Sequence, residues 1–311
     1  MKIKNAFQIF FKNYSLVLKV MVTQLVMLAI FIGVGSIFIA DMVVDVESGL
    51  AEFGVIDNLN AIFQAIAQNN FTTESFHEMM DALRSSFYQW ASSVDFFYQK
   101  LTVSGLLAFV VVLIVKYFLD FYKVAFNQNL NDFMSTSAKT PFMWRFFKSF
   151  GTAAKTQLIY TFFPFLLDVF IVLGSIGIYI SMLSISGLIG LVLTTLIMIV
   201  LLTLRKTLFA FWIPAMIINE MPPKASMAEG FKGISDCFGK VFGKLLLTTL
   251  FTCALVLVFL LGIVHWVTVV VALVIFLNNE LFASTICMVE YYKHSNFGFY
   301  IDKMKAVDNE D

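Results

Sequence analysis

The chain has 311 residues, of which 59% are hydrophobic and 14% are charged, and its mean hydropathy is +0.85. A soluble domain of this length needs more polar residues to cover its surface, so the composition excludes that class. The formal net charge is zero, but it hides charges of opposite sign in different segments. We expect an all-α integral membrane protein that forms a single membrane domain.

Six apolar runs are long enough to cross about 30 Å of hydrocarbon at about 1.5 Å per residue. The first run is too long for the apolar core of a signal peptide, so we expect it to remain as a span. The sequence therefore predicts six transmembrane helices, at about 16–40, 103–126, 156–183, 185–218, 245–264 and 266–288.

The charges of the connections predict the orientation. Basic residues collect in the N-terminal segment, in the connections after the second and fourth runs, and in the C-terminal tail. The connection 41–100 is the opposite, with nine acidic residues against two basic ones. Because basic connections stay on the cytoplasmic side, we predict a multi-pass protein of the plasma membrane with both termini in the cytoplasm.

The long connection 41–100 is predicted to be extracytoplasmic and to form two helices. In the second of them, apolar residues recur at alternating intervals of four and three, as a packing seam requires: Phe76, Met80, Leu83, Phe87, Trp90, Val94 and Phe97. One interpretation is a helical hairpin that packs on itself or on the membrane surface. The other is a docking face for a protein partner, centred on Phe87 and Trp90, or a lid over a cavity.

A threefold repeat is suggested by short basic and aromatic segments before the odd-numbered spans. These segments share a local pattern, in Phe10-Phe11-Lys12, Phe146-Phe147-Lys148 and Gly230-Phe231-Lys232. Such segments are typical of helices that lie in the membrane plane. The predicted unit is an interfacial helix followed by a pair of spans, although entry segments of this kind also occur without a repeat.

The stretch 211–247 resembles a bacterial six-span group that includes the membrane domain fused to some glycerophosphodiester phosphodiesterases. There, an apolar span with an internal Pro and a terminal acid leads into an amphipathic segment with Ala and then a new span. The matching residues here are Pro214, Glu220, Ala225, Ala228, Phe231 and Ser235. The resemblance implies a fold and brings no settled activity, and the phosphodiesterase catalytic domain is absent from this sequence.

Ionisable residues within the spans are the strongest functional signal, because they cost several kcal/mol in hydrocarbon unless they are shielded. Asp168 lies about twelve residues into the third predicted span, and Glu280 about fourteen into the sixth, beside Asn279. Gln24 has a similar depth in the first span. We expect a polar layer without a base at that depth, where the carboxylates carry a proton or bind a cation. Alternatively, the amides join helices and the acids are structural.

Basic residues near the inner boundary could face an anion. Lys116 lies there on the second predicted span, and Arg205 and Lys206 lie at the equivalent position on the fourth. They could form an inner basic ring for an anionic lipid or substrate. Snorkelling to the headgroups would explain the same positions.

Sequence signatures of catalysis are missing. The chain has no zinc-protease motif, nucleophile elbow, P-loop or dinucleotide fingerprint, and its three Cys and three His lack metal-ligand spacing. We therefore expect no cofactor, no metal and no nucleic-acid partner. An intramembrane enzyme that uses Asp168 and Glu280 as an acid pair stays open.

Two functions follow as expectations. The first is a non-enzymatic membrane protein that binds or transports a lipid-like or small solute, with Asp168, Glu280, Asn279 and Gln24 at a proton or cation site and Lys116 and Arg205 facing anions. The second is a membrane subunit, or an assembly or immunity factor, that acts through the outer hairpin by contact with a membrane or extracytoplasmic protein.

Overall fold

The computed structural model describes residues 3–67, 72–93, 101–182, 187–261 and 266–297. The chain separates into two compact units. The first unit contains Met1–Met27, Tyr117–Ile171 and Met198–Asp311, and the second contains Leu28–Lys116 and Val172–Ile197. Every candidate residue of the predicted polar layer belongs to the first unit, whereas the predicted outer connection belongs to the second.

The described residues are helical apart from short turns and contain no strand. Along the first part of the chain the helices are α1 (Lys4–Lys12), α2 (Tyr14–Glu52), α3 (Val55–Ala67), α4 (Thr73–Ser92), α5 (Leu101–Leu119), α6 (Tyr122–Thr136) and α7 (Phe142–Lys148). The remainder are α8 (Phe150–Tyr160), a π-helical turn (Thr161–Phe165), α9 (Leu166–Met182), α10 (Gly187–Leu208), α11 (Trp212–Ile218), α12 (Pro223–Leu261) and α13 (Trp266–His294). The predicted all-α class is therefore confirmed for the described residues.

Five helical stretches of the described residues are long and apolar enough to cross a membrane. They are Tyr14–Phe31, Phe150–Met182, Ile189–Ile218, Pro223–Val256 and Val270–His294. This result fits a multi-pass protein in a lipid bilayer. The second predicted span, 103–126, is not among the five and remains a prediction. Most of the 19-residue helix α5 and the start of α6 lie at these positions.

Two predicted spans contain a break that the sequence analysis did not predict. The helix of 103–126 ends at Leu119 and resumes at Tyr122, and the helix of 185–218 ends at Leu208 and resumes at Trp212. Phe121 and Phe211 in these breaks are fully buried, so packing compensates for the lost helical turn. Pro214 then falls in the first turn of α11, where its missing N–H costs no helical hydrogen bond.

Three residues interrupt the helices near the start of the odd-numbered predicted spans: Asn13, Ser149 and Cys237. Asn13 separates α1 from α2, Ser149 separates α7 from α8, and Cys237 has non-helical dihedral angles inside α12. Each donates a side-chain hydrogen bond to the carbonyl four residues earlier. The third basic segment is therefore the first part of α12 rather than a separate interfacial helix.

The interruptions give the three segments a common register. Buried residues lie three positions before each interruption, at Phe10, Phe146 and Ile234, and four positions after it, at Val17, Ala153 and Val241. The predicted alignment through Gly230-Phe231-Lys232 is offset from this register by four residues, about one helical turn. The threefold repeat itself remains a prediction, and this register is the form in which it should be tested.

The core of the first unit joins α1, α2, α6, α7 and α13. Its fully buried members include Val17, Phe126, Leu130, Leu281 and Met288. A second cluster packs α10–α11 on α12 and α13, with Phe211, Ala215 and Leu245 buried. These packed faces position the C-terminal end of α10 and the middle of α13, which carry Arg205, Lys206 and Glu280.

In the second unit, α3 and α4 pack against each other. Asn58 Nδ2 donates a 2.8 Å hydrogen bond to Ser86 Oγ, and Thr72 caps α4 by accepting from the Ser75 N–H at 3.2 Å. The helix that precedes them, α2, runs to Glu52 instead of ending near residue 40. Two helices therefore occupy the predicted positions in 41–100, while Val94 and Phe97 of the predicted seam lie outside the described residues. An extracytoplasmic hairpin remains a prediction.

Candidate functional site

Asp168 and Arg205 form an ion pair between α9 and α10. Arg205 Nε donates to Asp168 Oδ1 at 2.6 Å, and Arg205 Nη2 donates to Oδ2. Two parallel bonds of this kind match the planar guanidinium to the carboxylate and fix the orientation of both. Asp168 follows the π-helical turn that contains Pro164, which changes the direction of the side chains that come after it.

Lys206 and Glu280 form a second ion pair, between α10 and α13. Lys206 Nζ donates to Glu280 Oε1 at 2.7 Å. Consecutive residues on a helix point about 100° apart, so Arg205 and Lys206 reach acids on two different helices. The C-terminal end of α10 is thus held between α9 and α13 by two charged contacts.

Asp120 and Lys123 form a third pair at the break between α5 and α6. Their charged atoms lie 3.1 Å apart, and Lys123 Nζ also lies 4.6 Å from the ring centre of Tyr160. Gln157 Nε2 donates to the backbone carbonyl of Asp120 at 2.9 Å, and the same carbonyl also accepts from the Lys123 N–H at 3.0 Å. The break between α5 and α6 therefore lies at a polar contact with α8.

These six residues (Asp120, Lys123, Asp168, Arg205, Lys206 and Glu280) are referred to below as the ion-pair cluster. It contains three acids and three bases, so its formal charge is zero. Glu280 also interacts electrostatically with Lys123 and Arg205, which links the three pairs into one network. The exposed fractions of the side chains range from 7% to 26%, which makes the network largely buried.

The expectation of carboxylates without a base at their depth is wrong. Asp168 meets Arg205, and Glu280 meets Lys206. The depth of Asp168 was counted from residue 156, but the helical stretch starts at Phe150 and includes an extra residue in the π-helical turn. Arg205 accordingly does not face an open anion site, because its guanidinium is bound to Asp168. Lys116, at the end of α5, is half-buried.

Asn279 lies beside the cluster but has another contact. Its Nδ2 donates to the carbonyl of Thr248 and to Thr252 Oγ1, both at 2.8 Å, and so joins α13 to α12. This is the helix-joining role that the sequence analysis held open for the amides. Gln24 is buried on α2, and its Oε1 accepts no hydrogen bond from the described residues.

Phe87 and Trp90 differ in exposure within the second unit. Trp90 is buried, with Nε1 3.0 Å from the position that a Cβ on Gly49 would take, whereas Phe87 is 47% exposed. Their rings contact each other with centres 5.2 Å apart. Of these two rings Phe87 is the exposed one, and it lies next to the exposed Tyr88.

No group of three or more metal-ligating His, Cys, Asp or Glu side chains comes together within residues 3–67, 72–93, 101–182, 187–261 and 266–297. No protein-family model, curated protein or solved structure matches the chain. The resemblance of residues 211–247 to the six-span phosphodiesterase membrane domain therefore stays a prediction. Function has to be argued from the ion-pair cluster itself.

Proposed function

We propose that this protein is a non-enzymatic membrane protein that binds and transports a lipid-like or small solute, and that the ion-pair cluster couples the solute to protons. The observation that carries the proposal is that Arg205 and Lys206 hold carboxylates from two different helices inside apolar spans. Charges at such positions are expensive, and in membrane proteins they commonly mark solute or proton pathways.

The proposed coupling starts at Glu280. A proton that binds to the Glu280 carboxylate makes it neutral, so the ammonium group of Lys206 loses its counter-charge. Lys206 can then bind an anionic group of the solute. When the solute leaves, Glu280 releases its proton and the ion pair forms again. Proton and solute would therefore bind together and leave together, the proton at Glu280 and the anionic group at Lys206.

The orientation follows from the basic connections. We propose that both termini are cytoplasmic, that residues 41–100 lie outside the cell membrane, and that the ion-pair cluster is near the inner boundary. Arg205 is 18 residues from the start of α10, or about 27 Å at 1.5 Å per residue. A helix that begins at the outer boundary reaches nearly across the hydrocarbon over that distance.

Native mass spectrometry of gently extracted protein tests binding. We expect the wild type to carry a reproducible small adduct, more abundant in acidic than in alkaline buffer. Lys206→Gln should lose the adduct, and Glu280→Gln should keep it in both buffers because Gln resembles the protonated acid. Lys244→Gln is the matched control, since Lys244 pairs with Glu290 at 2.8 Å outside the cluster. If Lys206→Gln folds and keeps the adduct, the proposal fails.

A second candidate function is contact with another protein through α4. The exposed aromatic side chains of Phe87 and Tyr88 favour it, because aromatic residues are enriched at interfaces. In that case a protein should co-purify with the wild type and be lost in Phe87→Ala/Tyr88→Ala, while changes in the ion-pair cluster leave it bound.

A further inference from the structure

A pocket of about 220 Å³ lies in the first unit where the start of α2 meets the segment before α7. Its polar lining includes Asn13, Ser15, Lys19, Asn129, Lys139 and Thr140. Two lysines therefore face one small space, and none of its lining residues is acidic. We infer that this pocket, outside the ion-pair cluster, binds the phosphate of an anionic phospholipid headgroup through Lys19 and Lys139.

The polar floor of the pocket is fixed. Asn13 and Asn129 are each 4% exposed, and their side-chain amides donate to backbone carbonyls of their own helices. Thr140 Oγ1 lies 2.5 Å from Asn129 Oδ1 and 2.8 Å from Asp132 Oδ2. Asp132 does not oppose an anion with a free charge, because it is bound to Arg145. The exposed Lys19 and Lys139 side chains therefore lie next to polar residues whose positions are fixed by hydrogen bonds.

A lipid fits this pocket better than a free phosphate ion because of the surface beside it. Along α2, the helix that carries Lys19, apolar side chains are exposed at every fourth position: Tyr14, Leu18, Val22 and Val26. Tyr14 and Leu18 of this row are chain neighbours of the pocket residues Asn13, Ser15 and Lys19, and the row runs along a stretch that is apolar enough to span a membrane. A phospholipid would place its phosphate between the lysines and an acyl chain along the row. On the proposed orientation the pocket faces the cytoplasmic leaflet, which is rich in anionic lipids.

An equivalent position elsewhere in the chain provides a control. Lys155 lies six residues after Ser149, as Lys19 lies six residues after Asn13, and Lys155 lines a second pocket of about 640 Å³. That pocket is bounded by Pro222 and Pro223, as the first is bounded by Pro141. It also contains Asp132 and Glu220, so its charge is mixed and it is not expected to select an anion.

The test is a titration of delipidated protein in detergent, read by native mass spectrometry. The probes are phosphatidylglycerol, phosphatidylcholine with the same acyl chains, and inorganic phosphate. We expect phosphatidylglycerol to bind more tightly than phosphatidylcholine. Lys19→Gln/Lys139→Gln should weaken phosphatidylglycerol binding by about 30-fold, since two lysines beside an anionic headgroup contribute about 2 kcal/mol. Lys155→Gln should bind it like the wild type.

Three results would overturn the inference. One is equal binding of the two lipids, another is unchanged binding in Lys19→Gln/Lys139→Gln, and the third is full displacement of phosphatidylglycerol by inorganic phosphate, which would assign the pocket to a soluble anion. Lys19→Arg/Lys139→Arg should retain binding, which separates loss of charge from misfolding. Glu280→Gln should also retain it, so the lipid site and the proposed transport function succeed or fail separately.

Discussion

Lys206 Nζ on α10 donates a 2.7 Å hydrogen bond to Glu280 Oε1 on α13, although 74 residues separate the two in the chain. The residue before Lys206 makes the corresponding contact with Asp168 on α9. Three helices are therefore tied at one level by two adjacent residues. A change of charge at either acid would remove one of these contacts, so the two contacts can be tested separately.

The Glu280–Lys206 pair should show strong coupling in a double-mutant cycle. Lys206→Gln leaves a buried carboxylate without its base and should lower the free energy of unfolding by about 3 kcal/mol. The double variant Lys206→Gln/Glu280→Gln should be more stable than Lys206→Gln, because it removes the uncompensated charge. Thermal unfolding in detergent, followed by Trp fluorescence, measures both. Additive losses would show that the two side chains do not interact in solution.

Gly230 is expected to be essential for the packing of α12 against α11. A Cβ at Gly230 would lie 2.9 Å from the backbone nitrogen of Trp212 and 3.0 Å from the carbonyl carbon of Phe211. Backbone atoms cannot rotate away, so Gly230→Ala should destabilise the protein by about 1–3 kcal/mol.

The control for that change is Gly239→Ala in the same helix, where no atom lies within 4 Å of the new Cβ. Ala is a better helix former than Gly, so this variant should be neutral or more stable by up to about 1 kcal/mol. Equal melting temperatures for Gly230→Ala and Gly239→Ala would contradict the close approach of the two helices.

Asn279 and Asn278 should respond differently to the same substitution. Asn279 donates to Thr248 and Thr252 on α12, whereas Asn278 donates to Val274, on its own helix. Asn279→Leu should therefore cost about 0.6–2 kcal/mol, in the range found for hydrogen bonds between membrane helices. Asn278→Leu should have a smaller effect. A larger loss in Asn278→Leu, measured by thermal unfolding, would contradict the assignment of Asn279 as the residue that joins α12 and α13.

Trp90 and Phe87 separate stability from partner binding in the second unit. Trp90→Ala removes a buried ring and should lower the free energy of unfolding by about 3 kcal/mol. Phe87→Ala changes a half-exposed ring and should stay within about 0.5 kcal/mol of the wild type. Circular dichroism melts measure both. The opposite order would mean that Phe87, rather than Trp90, is the buried ring.

The helices could be predicted from the sequence wherever a long apolar run determines them. The breaks could not, because the sequence carries no glycine or proline at the interruptions near Asp120 and Ala210. Tertiary contacts accompany both breaks: Phe121 and Phe211 are buried in the core, and Gln157 donates to the carbonyl of Asp120. Helix propensity depends on residues that are close in the chain, so it does not predict such tertiary contacts.

The acids of the site could be found from sequence, but their partners could not. Asp168 and Glu280 stand out because charge is rare in apolar runs. Arg205 was assigned to a different depth, since depth counted along one run ignores the π-helical turn and the earlier start of the helix at Phe150. The adjacency of Arg205 and Lys206 was the available signal, because neighbours on a helix point to different sides and so to different partners.

Proton movement in proteoliposomes is the most direct test of the proposed coupling. Protein is reconstituted into liposomes that contain a pH-sensitive dye, and the molecule that co-purifies with the wild type is added outside. The proposal predicts solute-dependent proton movement in the wild type, solute movement without protons in Glu280→Gln, and neither in Lys206→Gln. Proton movement in Glu280→Gln equal to that of the wild type, with the solute still transported, would contradict the coupling role of Glu280 and Lys206.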